Sequence, residues 1–301
     1  MPSTSSSKAA KAFEPDQLLA DTFRHMIAVC TYLSADGILD EETLTGTVLG
    51  ALASAYPLIL KEAGSPRSQT EFFWSRYNKA RARDKHSEAA NGADFTLVLL
   101  GDNGLAHLAV FQAKRSAVSF SNGVWTLDIR HESTNIHGNK CAQMVALAKL
   151  ADLLLAQNNT PIMLDPNDEL GHIGWIHYLA YGDGSPLCLP LSKMSHLLPH
   201  ELSLVGSSND FEFDPATSRT FFDVLEAGLH RKTTEWLTVR TKAVFELLPA
   251  WINVMPVIFA STRKGWTHVP RNRLPQHLNA KPAPSARLAK SKPAPSGSRT
   301  K

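Results

Sequence analysis

The sequence predicts an α/β protein in which a mixed sheet is flanked by helices. Two segments within residues 15–57 carry apolar residues at helical spacing. Two apolar segments, residues 93–101 and 105–114, then enclose Asp102-Asn103-Gly104, a sequence that is typical of a hairpin turn. A further apolar helix and more strands follow, so helices and strands alternate along the chain.

The first two helices are predicted from their apolar spacing and their end signals. Residues 15–33 form the first helix, which Asp36-Gly37 terminates. The second begins after Asp40, whose carboxylate is a favourable N-cap, and is expected to end where Pro57 disrupts the pattern.

After the hairpin we expect a third strand at residues 124–130, a helix at 140–157 and strands at 161–164 and 173–181. Beyond Pro186 we expect helix over residues 217–248 and a strand near 254–260. The predicted organisation is a disordered N-terminus (1–12), a core with N-terminal helices (13–185), an accessory segment with additional C-terminal helices packed on that core (186–280), and a disordered basic tail (281–301).

The excess positive charge lies in the two tails. Residues 281–301 hold six Lys or Arg, residues 1–12 hold two, and neither tail holds an acid. Removing these eight charges from the net +3 leaves −5 on residues 13–280, so a globally basic DNA-binding body is not expected. The C-terminal tail is open to two interpretations, a solubilising terminus or an arm that tethers nucleic acid through phosphate contacts.

One internal segment, residues 67–86, is locally basic and aromatic. It is open to two interpretations. Its aromatic rings can pack inward beneath a solvated helix face, or its basic residues can contact a nucleic-acid backbone. The candidate contacts in this segment are Arg76, Lys79, Arg81 and Arg83.

The three cysteines, Cys30, Cys141 and Cys188, contain no CxxC pair, which indicates buried, reduced thiols. Residues 1–11 lack the apolar stretch of a signal peptide, and the longest apolar run, residues 47–60, is too short and interrupted to cross a bilayer. We therefore expect a soluble, cytoplasmic protein with no membrane partner.

An acid, an amide and an amine converge if the hairpin has a three-residue loop centred on Asn103. Asp94 then lies opposite Gln112, and both share a face with Lys114. A two-residue Asn-Gly turn would shift the register by one residue and separate them. In the alternative interpretation, these polar residues belong to an edge hairpin and face solvent.

This set of side chains suits the hydrolysis of a phosphodiester bond. A divalent cation neutralises the phosphoryl charge and acidifies a water, and it prefers oxygen ligands such as the Asp94 carboxylate and the Gln112 carbonyl. Lys114 can orient the attacking water, help deprotonate it and counter developing negative charge. Because Gln112 brings no charge, a second carboxylate is needed, and the helix that carries Glu41 and Glu42 is the expected donor.

The stretch Gly92-Ala93-Asp94-Phe95 and the later Val110-Phe111-Gln112-Ala113-Lys114-Arg115 resemble the Asp and Gln-x-Lys motifs of PD-(D/E)XK (restriction endonuclease-like) nucleases. The Gln variant is similar to that of Mrr-type restriction enzymes and prokaryotic defence nucleases. Glu42-x-Leu44-x3-Val48-Leu49 resembles the first core helix of the family, while Ala93 stands where the namesake motif has Pro. The resemblance covers about residues 40–181, and it implies an αβββαβ core in which the third strand and the Gln143 helix follow the hairpin.

The helical wheel and the spacing of the family motif indicate different acids. Glu41 lies near the centre of the apolar face, and Glu42 lies about 100° away from it. A metal ligand belongs at the rim of a buried face, so we assign Glu42 and keep Glu41 as the alternate.

The resemblance implies a Mg²⁺- or Mn²⁺-dependent nuclease that acts on nucleic acid, most readily DNA, in prokaryotic restriction or anti-phage defence. The implied metal ligands are Glu42, Asp94 and Gln112, with Lys114 as the catalytic amine and Gln143 as an alternate on the later helix. Arg115 and Lys140 join the basic segment as candidate nucleic-acid contacts, and the partner is either a second copy of the chain or another defence protein. Two other hypotheses are an inactive nucleic-acid-binding or scaffolding module, and an α/β interaction domain with a different sheet order.

Overall fold

The computed structural model describes fourteen stretches of the chain. They are residues 15–35, 39–62, 92–100, 104–115, 118–121, 124–129, 132–134, 140–157, 173–182, 184–197, 210–229, 234–241, 243–244 and 257–261. The basic segment at residues 67–86, the strand expected at 161–164 and both terminal tails lie outside the described residues.

The described helices are α1 (Pro15–Ala35), α2 (Glu41–Glu62), α3 (Gln143–Gln157), α4 (Phe221–Leu229) and a 3-10 helix (Leu191–Leu197). Asp40 caps α2 as predicted, because its Oδ1 accepts a hydrogen bond of 2.7 Å from Thr43 N. The predicted end at Pro57 is wrong, since α2 continues to Glu62. Its apolar face packs against α1, and such packing stabilises a helix beyond local propensity. In the described part of the chain, no helix combines the length and the apolar character needed to cross a membrane.

The described strands form three sheets with seven, three and two strands. In chain order they are β1 (Phe95–Leu100), β2 (Leu105–Lys114), β3 (Val118–Ser121), β4 (Val124–Asp128), β5 (Glu132–Thr134), β6 (Lys140–Ala142), β7 (Ile176–Ala180), β8 (Leu187–Pro190), β9 (Asp210–Phe213), β10 (Arg219–Thr220), β11 (Leu237–Arg240) and β12 (Val257–Ser261). Residues 140–142, expected to open the helix that is α3, instead pair with β5 as strand β6.

The seven-stranded sheet is mixed and has the order β10-β8-β7-β2-β1-β12, with β11 also paired to β2. β1 and β2 are antiparallel, with pairs that run from Phe95↔Phe111 to Leu100↔Ala106. This is the register of the three-residue loop, so that prediction is confirmed. β7 lies parallel to β2, and α3 falls between them in the chain. The prediction of a mixed sheet flanked by helices is confirmed.

The third predicted strand does not join the hairpin. It forms as β4, but it pairs with β3 and β9 in the separate three-stranded sheet. The reason lies in the second edge of β2. That edge is already occupied, by β11 along residues 105–108 and by β7 along residues 110–114, so the sheet has no position for β4 beside β2.

The chain beyond residue 186 supplies β8, β10, β11 and β12 to the seven-stranded sheet. The predicted accessory segment is thus, where described, interleaved with the core sheet. The helix expected over residues 217–248 is wrong in its extent, because α4 covers only Phe221–Leu229 and β11 follows. Alternation of Leu237 and Val239 with Thr238 and Arg240 gives β11 the period of a strand, and β2 offers it a free edge.

The two faces of the seven-stranded sheet bury two apolar cores. Even-numbered residues of β1, β2 and β7, such as Val98, Val110 and Tyr178, pack with α3 and with the three-stranded sheet. Odd-numbered residues, such as Leu97 and Phe111, pack with α1, α2 and α4. Because side chains alternate between faces along a strand, Gln112 and Lys114 belong to the face covered by α3.

Two of the cysteines confirm the predicted buried thiols. Cys30 on α1 and Cys188 on β8 are both buried and free. Burial raises the pKa of Cys30 to about 11 and the pKa of Cys188 well above its usual range. Both thiols are therefore protonated at neutral pH. The side chain of Cys141 lies outside the described residues.

Trp125 of β4 packs the three-stranded sheet against Gly182, which lies two residues after β7. A Cβ placed at Gly182 would lie 1.6 Å from Cη2 of Trp125, so the indole occupies the space that only a glycine leaves. Trp125 is buried and also packs against Phe213 of β9.

Replacement of Gly182 by Ala is expected to destabilise the protein by at least about 2 kcal/mol, because the added methyl forces Trp125 out of its position. Urea denaturation of Gly182→Ala and wild type measures the difference. The matched control is Gly46→Ala on the exposed side of α2, where a Cβ meets nothing within 4 Å and alanine favours the helix. Equal stabilities of Gly182→Ala and wild type would contradict the packing described here.

His177 of β7 is a buried histidine held in its neutral form. Its Nε2–H donates to the Glu235 carbonyl over 3.0 Å, and its ring stacks on Phe111 with centroids 5.3 Å apart. Burial lowers the pKa of His177 from 6.5 to about 4; the hydrogen bond to Glu235 opposes this shift and the charge of Arg219 adds to it.

The protein is expected to lose roughly 3 kcal/mol of stability through His177 as the pH falls from 6.5 to 4, because only the unfolded chain takes up the proton in that window. Above pH 6.5 both states are neutral at this position and the contribution is constant. Unfolding free energies at pH 7.5 and 4.5 test this for wild type and for His177→Phe, which cannot titrate. An equal loss in both proteins would show that His177 is not the responsible group.

Candidate active site

Asp94 lies at the end of the hairpin, immediately before β1. Its backbone N donates to Phe111 O over 2.9 Å, which keeps it in the ladder with β2. Its carboxylate oxygen Oδ2 accepts one hydrogen bond of 2.7 Å from Ala113 N and another of 2.6 Å from Gln112 Nε2. The carboxylate therefore takes the place of a main-chain acceptor beyond the start of β1.

The Gln112 side chain is oriented by its two donated hydrogen bonds. Its Nε2 donates to Asp94 Oδ2 over 2.6 Å and to Ala113 O over 3.0 Å. The amide oxygen Oε1 must then point away from both acceptors, and it is buried without a hydrogen-bond partner. A buried acceptor without a partner lowers the stability of the fold. A hydrogen-bond donor or a cation that bound Oε1 would remove this cost.

Lys114 ends β2 on the same face as Gln112. Its side chain is 5% exposed, and the described residues provide it with no ion pair. Its carbonyl accepts a hydrogen bond of 2.8 Å from Tyr181 N, which fixes the end of β2 against β7. A buried ammonium group thus lies two residues beyond the amide of Gln112.

Of the two candidate glutamates, Glu41 is the one that reaches β2. Its Oε2 accepts a hydrogen bond of 3.1 Å from Arg115 N, and the residue is half-buried. Glu42 is exposed. The structure therefore favours Glu41, the residue that the helical wheel indicated, over Glu42, which the motif spacing indicated.

The two carboxylates accept hydrogen bonds from backbone N–H groups at the end of β2. Ala113 lies in β2 and Arg115 directly follows the strand, and backbone groups two residues apart in extended chain are separated by about 7 Å. Asp94 Oδ2 binds the first of these N–H groups and Glu41 Oε2 binds the second. Residues that are far apart in the chain are thereby brought to adjacent places.

Tyr181 lies on the face of the sheet that α2 covers. Its buried hydroxyl lies 3.3 Å from Thr45 Oγ1 on α2. Burial raises the pKa of Tyr181 well above its usual range, the neighbouring Cys30, Asp94 and Glu41 raise it further, and the hydrogen bond with Thr45 opposes the shift. The tyrosine is therefore neutral at neutral pH.

Gln143, the first residue of α3, packs against the segment that leads to Asp94. A Cβ at Gly92 would lie 3.0 Å from Gln143 Cγ and 3.1 Å from Gln143 O, and Gly92 has a φ of +73° that favours glycine. The Gln143 side chain is buried, and its Oε1 has no hydrogen-bond partner. The structure thus supplies a second unpaired amide oxygen on the α3 side.

Three residues near the site had no role assigned to them from the sequence. Tyr178 pairs with Gln112 across β2 and β7 and shares its face, Tyr181 follows β7, and Gly92 permits the approach of α3. The positions of the tyrosines depend on a parallel pairing between distant segments, which the local pattern does not encode. The sequence gives one indication of a role for Gly92, which is its position two residues before Asp94.

The predicted nucleic-acid contacts are not brought together in the described residues. Arg115 donates both guanidinium nitrogens to backbone carbonyls, those of Tyr181 and Ser34, at 3.3 and 3.1 Å. Lys140 lies in β6, and its side chain is outside the described residues. The four basic residues of segment 67–86 also lie outside them.

The donor atoms fit a hard divalent cation in type. Within the described ranges, no group of three His, Cys, Asp or Glu side chains is arranged to hold a metal ion. The other oxygen donors near the end of β2 are the carboxylates of Asp94 and Glu41 and the unpaired amide oxygens of Gln112 and Gln143. Carboxylate and amide oxygens are the ligands that Mg²⁺ and Ca²⁺ prefer, so the chemistry of the set suits such an ion.

The described residues form a mixed α/β protein with Asp94, Gln112 and Lys114 at one end of a sheet hairpin. The chain matches no protein-family model, no curated protein and no solved structure.

Replacing Gln112 by Glu is expected to destabilise the protein by roughly 3 kcal/mol at pH 7, because a second buried carboxylate would face Asp94 without the two donated hydrogen bonds. The loss should shrink as the pH falls toward 4, where one of the two carboxyl groups can hold a proton.

Unfolding by urea at pH 7 and pH 4.5, each relative to wild type at the same pH, measures both effects. Gln112→Leu is the matched control, since it removes the same hydrogen bonds without adding a charge and should cost about 1–3 kcal/mol at either pH. A pH-independent loss in Gln112→Glu would contradict the contact between Gln112 and Asp94.

Proposed function

We propose that the protein is a metal-dependent nuclease that hydrolyses phosphodiester bonds, with DNA as its substrate. The observation that carries this proposal is that Asp94 and Glu41 accept hydrogen bonds from Ala113 N and Arg115 N, the residues on either side of the buried Lys114. Two acids and an amine at the end of one strand supply the charges that phosphodiester hydrolysis requires.

The residues of this chain divide the work. Lys114 is buried, so its positive charge stabilises negative charge on a phosphoryl oxygen more strongly than it would in water. Its ammonium group can also orient the attacking water. Gln112 holds Asp94 Oδ2 in a fixed position, so that the acid is oriented before a substrate binds.

Mg²⁺ or Mn²⁺ would be held by Asp94, Glu41 and the amide oxygen of Gln112, with Gln143 as a further donor, and would supply Lewis-acid stabilisation of the phosphoryl group and acidification of a water. Glu41 replaces Glu42 in this ligand set because its carboxylate reaches β2 while Glu42 is exposed.

The resemblance to PD-(D/E)XK nucleases supports the proposal through four features. A helix carries the acid, a hairpin carries Asp94 and Gln112-x-Lys114, a further helix follows, and the next strand lies parallel to the second strand of the hairpin. β4 departs from the expected αβββαβ core, because it belongs to the three-stranded sheet. Restriction or anti-phage defence in the cytoplasm, with a second copy or another defence protein as partner, is the biological role that this resemblance favours.

A second function, an inactive nucleic-acid-binding or scaffolding module, is favoured by one observation. Asp94 Oδ2 already accepts two hydrogen bonds that hold β2, so this acid has a structural task that does not require a metal. In that case the protein would bind DNA without cleaving it.

We expect purified wild type to cleave plasmid or single-stranded DNA in Mg²⁺ or Mn²⁺, and Lys114→Ala to be at least about 100-fold slower, because it loses the charge beside the reacting phosphate. Lys149→Ala, which removes an exposed lysine of α3, is the matched control and should retain wild-type activity. Gel electrophoresis of the DNA over time gives the rates.

Glu41→Gln and Glu42→Gln separate the two glutamates. Loss of cleavage in Glu41→Gln alone supports the ligand set proposed here, whereas loss in Glu42→Gln alone would return the assignment to Glu42. Equal cleavage by wild type and Lys114→Ala, or none by either with all metals and substrates, would overturn the proposed site. Binding of DNA without cleavage in a gel-shift assay would favour the inactive module.

A further inference from the structure

Arg115 joins four elements at the end of β2. Its backbone N donates to Glu41 Oε2 on α2 over 3.1 Å. Its guanidinium donates to the carbonyl of Ser34 on α1 over 3.1 Å and to the carbonyl of Tyr181, just after β7, over 3.3 Å. Arg115, directly after β2, therefore contacts α1, α2 and the end of β7.

These contacts hold both sides of the connection between α1 and α2. Ser34 is the penultimate residue of α1, so its carbonyl is one that the helix leaves without an internal partner, and a cation near a helix C-terminus is favourable. Glu41 is the first residue of α2. Only residues 36–40 separate the two helices, so the guanidinium contact to α1 restrains where α2 begins and, with it, where the Glu41 carboxylate lies.

The planar shape of the guanidinium suits this task. It presents several N–H donors in a rigid fork, so it can bind two carbonyls in different directions at once, and it remains charged under all ordinary conditions. A lysine at this position would keep the charge but lose the fixed fork. The guanidinium is consequently occupied within the protein, which leaves it unsuited to the nucleic-acid contact that the sequence indicated.

We infer that Arg115 is a positioning residue, which holds the Glu41 carboxylate beside Asp94 and thereby sets the affinity of the site for a divalent cation. This inference rests on the proposed ligand set of Asp94 and Glu41. It assigns Arg115 a role in metal affinity and none in DNA contact.

Titration of the full-length protein with Mn²⁺ alone, followed by isothermal calorimetry, tests the inference without requiring cleavage. Arg115→Ala is expected to bind Mn²⁺ roughly 10- to 100-fold more weakly than wild type, the range typical when a residue that orients a metal ligand is removed. Arg115→Lys should recover part of that affinity. The double variant Arg115→Ala with Glu41→Gln should bind no more weakly than Glu41→Gln alone, because both changes act through the same carboxylate.

Arg24→Ala is the matched control. Arg24 also ties α1 to another helix, through a 3.7 Å ion pair with Glu226 and a position 5.2 Å above the Phe222 ring of α4, but it lies outside the site. It should bind Mn²⁺ as wild type does. Melting temperatures recorded for every variant identify a general loss of stability, and if Arg115→Ala does not fold, the comparison of Arg115→Lys with wild type decides.

The outcomes distinguish this inference from the proposed function. Weaker Mn²⁺ binding in folded Arg115 variants, in a protein that cleaves no DNA, would support the positioning role and overturn the nuclease. Unchanged Mn²⁺ affinity in a folded Arg115→Ala would overturn the positioning role, whether or not the protein cleaves DNA. Weaker DNA binding with a shallower salt dependence, at unchanged Mn²⁺ affinity, would return Arg115 to the phosphate contact. Absence of Mn²⁺ binding by wild type would overturn the positioning role as well.

Discussion

The arrangement of the candidate site depends on one mismatch of length, since β2 has ten residues and β1 has six. At its C-terminal end β2 extends past the start of β1, and the N–H groups of Ala113 and Arg115 face a region where β1 provides no ladder partner. A buried N–H without an acceptor costs about 1–3 kcal/mol, so the fold requires acceptors there. Asp94 and Glu41 provide them, and the same two hydrogen bonds bring two carboxylates to adjacent places.

The polar end of β2 is a local exception in a hydrophobic sheet. Along its length β2 is buried on both faces, against α3 on one side and against α1, α2 and α4 on the other. Gln112 and Lys114 are almost as buried as their apolar neighbours, and the Gln112 amide oxygen lacks a partner. Groups of this kind lower stability unless another molecule completes their interactions, and they are concentrated at functional sites.

The surroundings of the site come from the whole length of the chain. β7 supplies Tyr178, the residue directly after β7 is Tyr181, α3 supplies Gln143, and β11 and β12 join the sheet from the C-terminal part. Trp125 then packs the three-stranded sheet onto Gly182, next to the end of β7. Apart from β3 and β4 of the three-stranded sheet, these elements are distant from the hairpin in sequence, so the environment of Asp94 and Lys114 depends on long-range packing.

The sequence by itself determined the features that depend on local periodicity and local hydrogen bonding. The apolar spacing of α1, the Asp40 cap and the parity of the β1–β2 hairpin all follow from residues within a few positions of one another, and these predictions were confirmed. Only the tertiary structure decided the partners of each edge. β11 and β7 pair with the second edge of β2, which leaves no place there for β4. Residues 237–240 form a strand where a helix was predicted. Glu41, and not Glu42, accepts a hydrogen bond from Arg115 N. The physical reason is that many distant segments could pair with the same strand edge, sheet face or unpaired N–H group. Which of them does so depends on the packing of the complete chain.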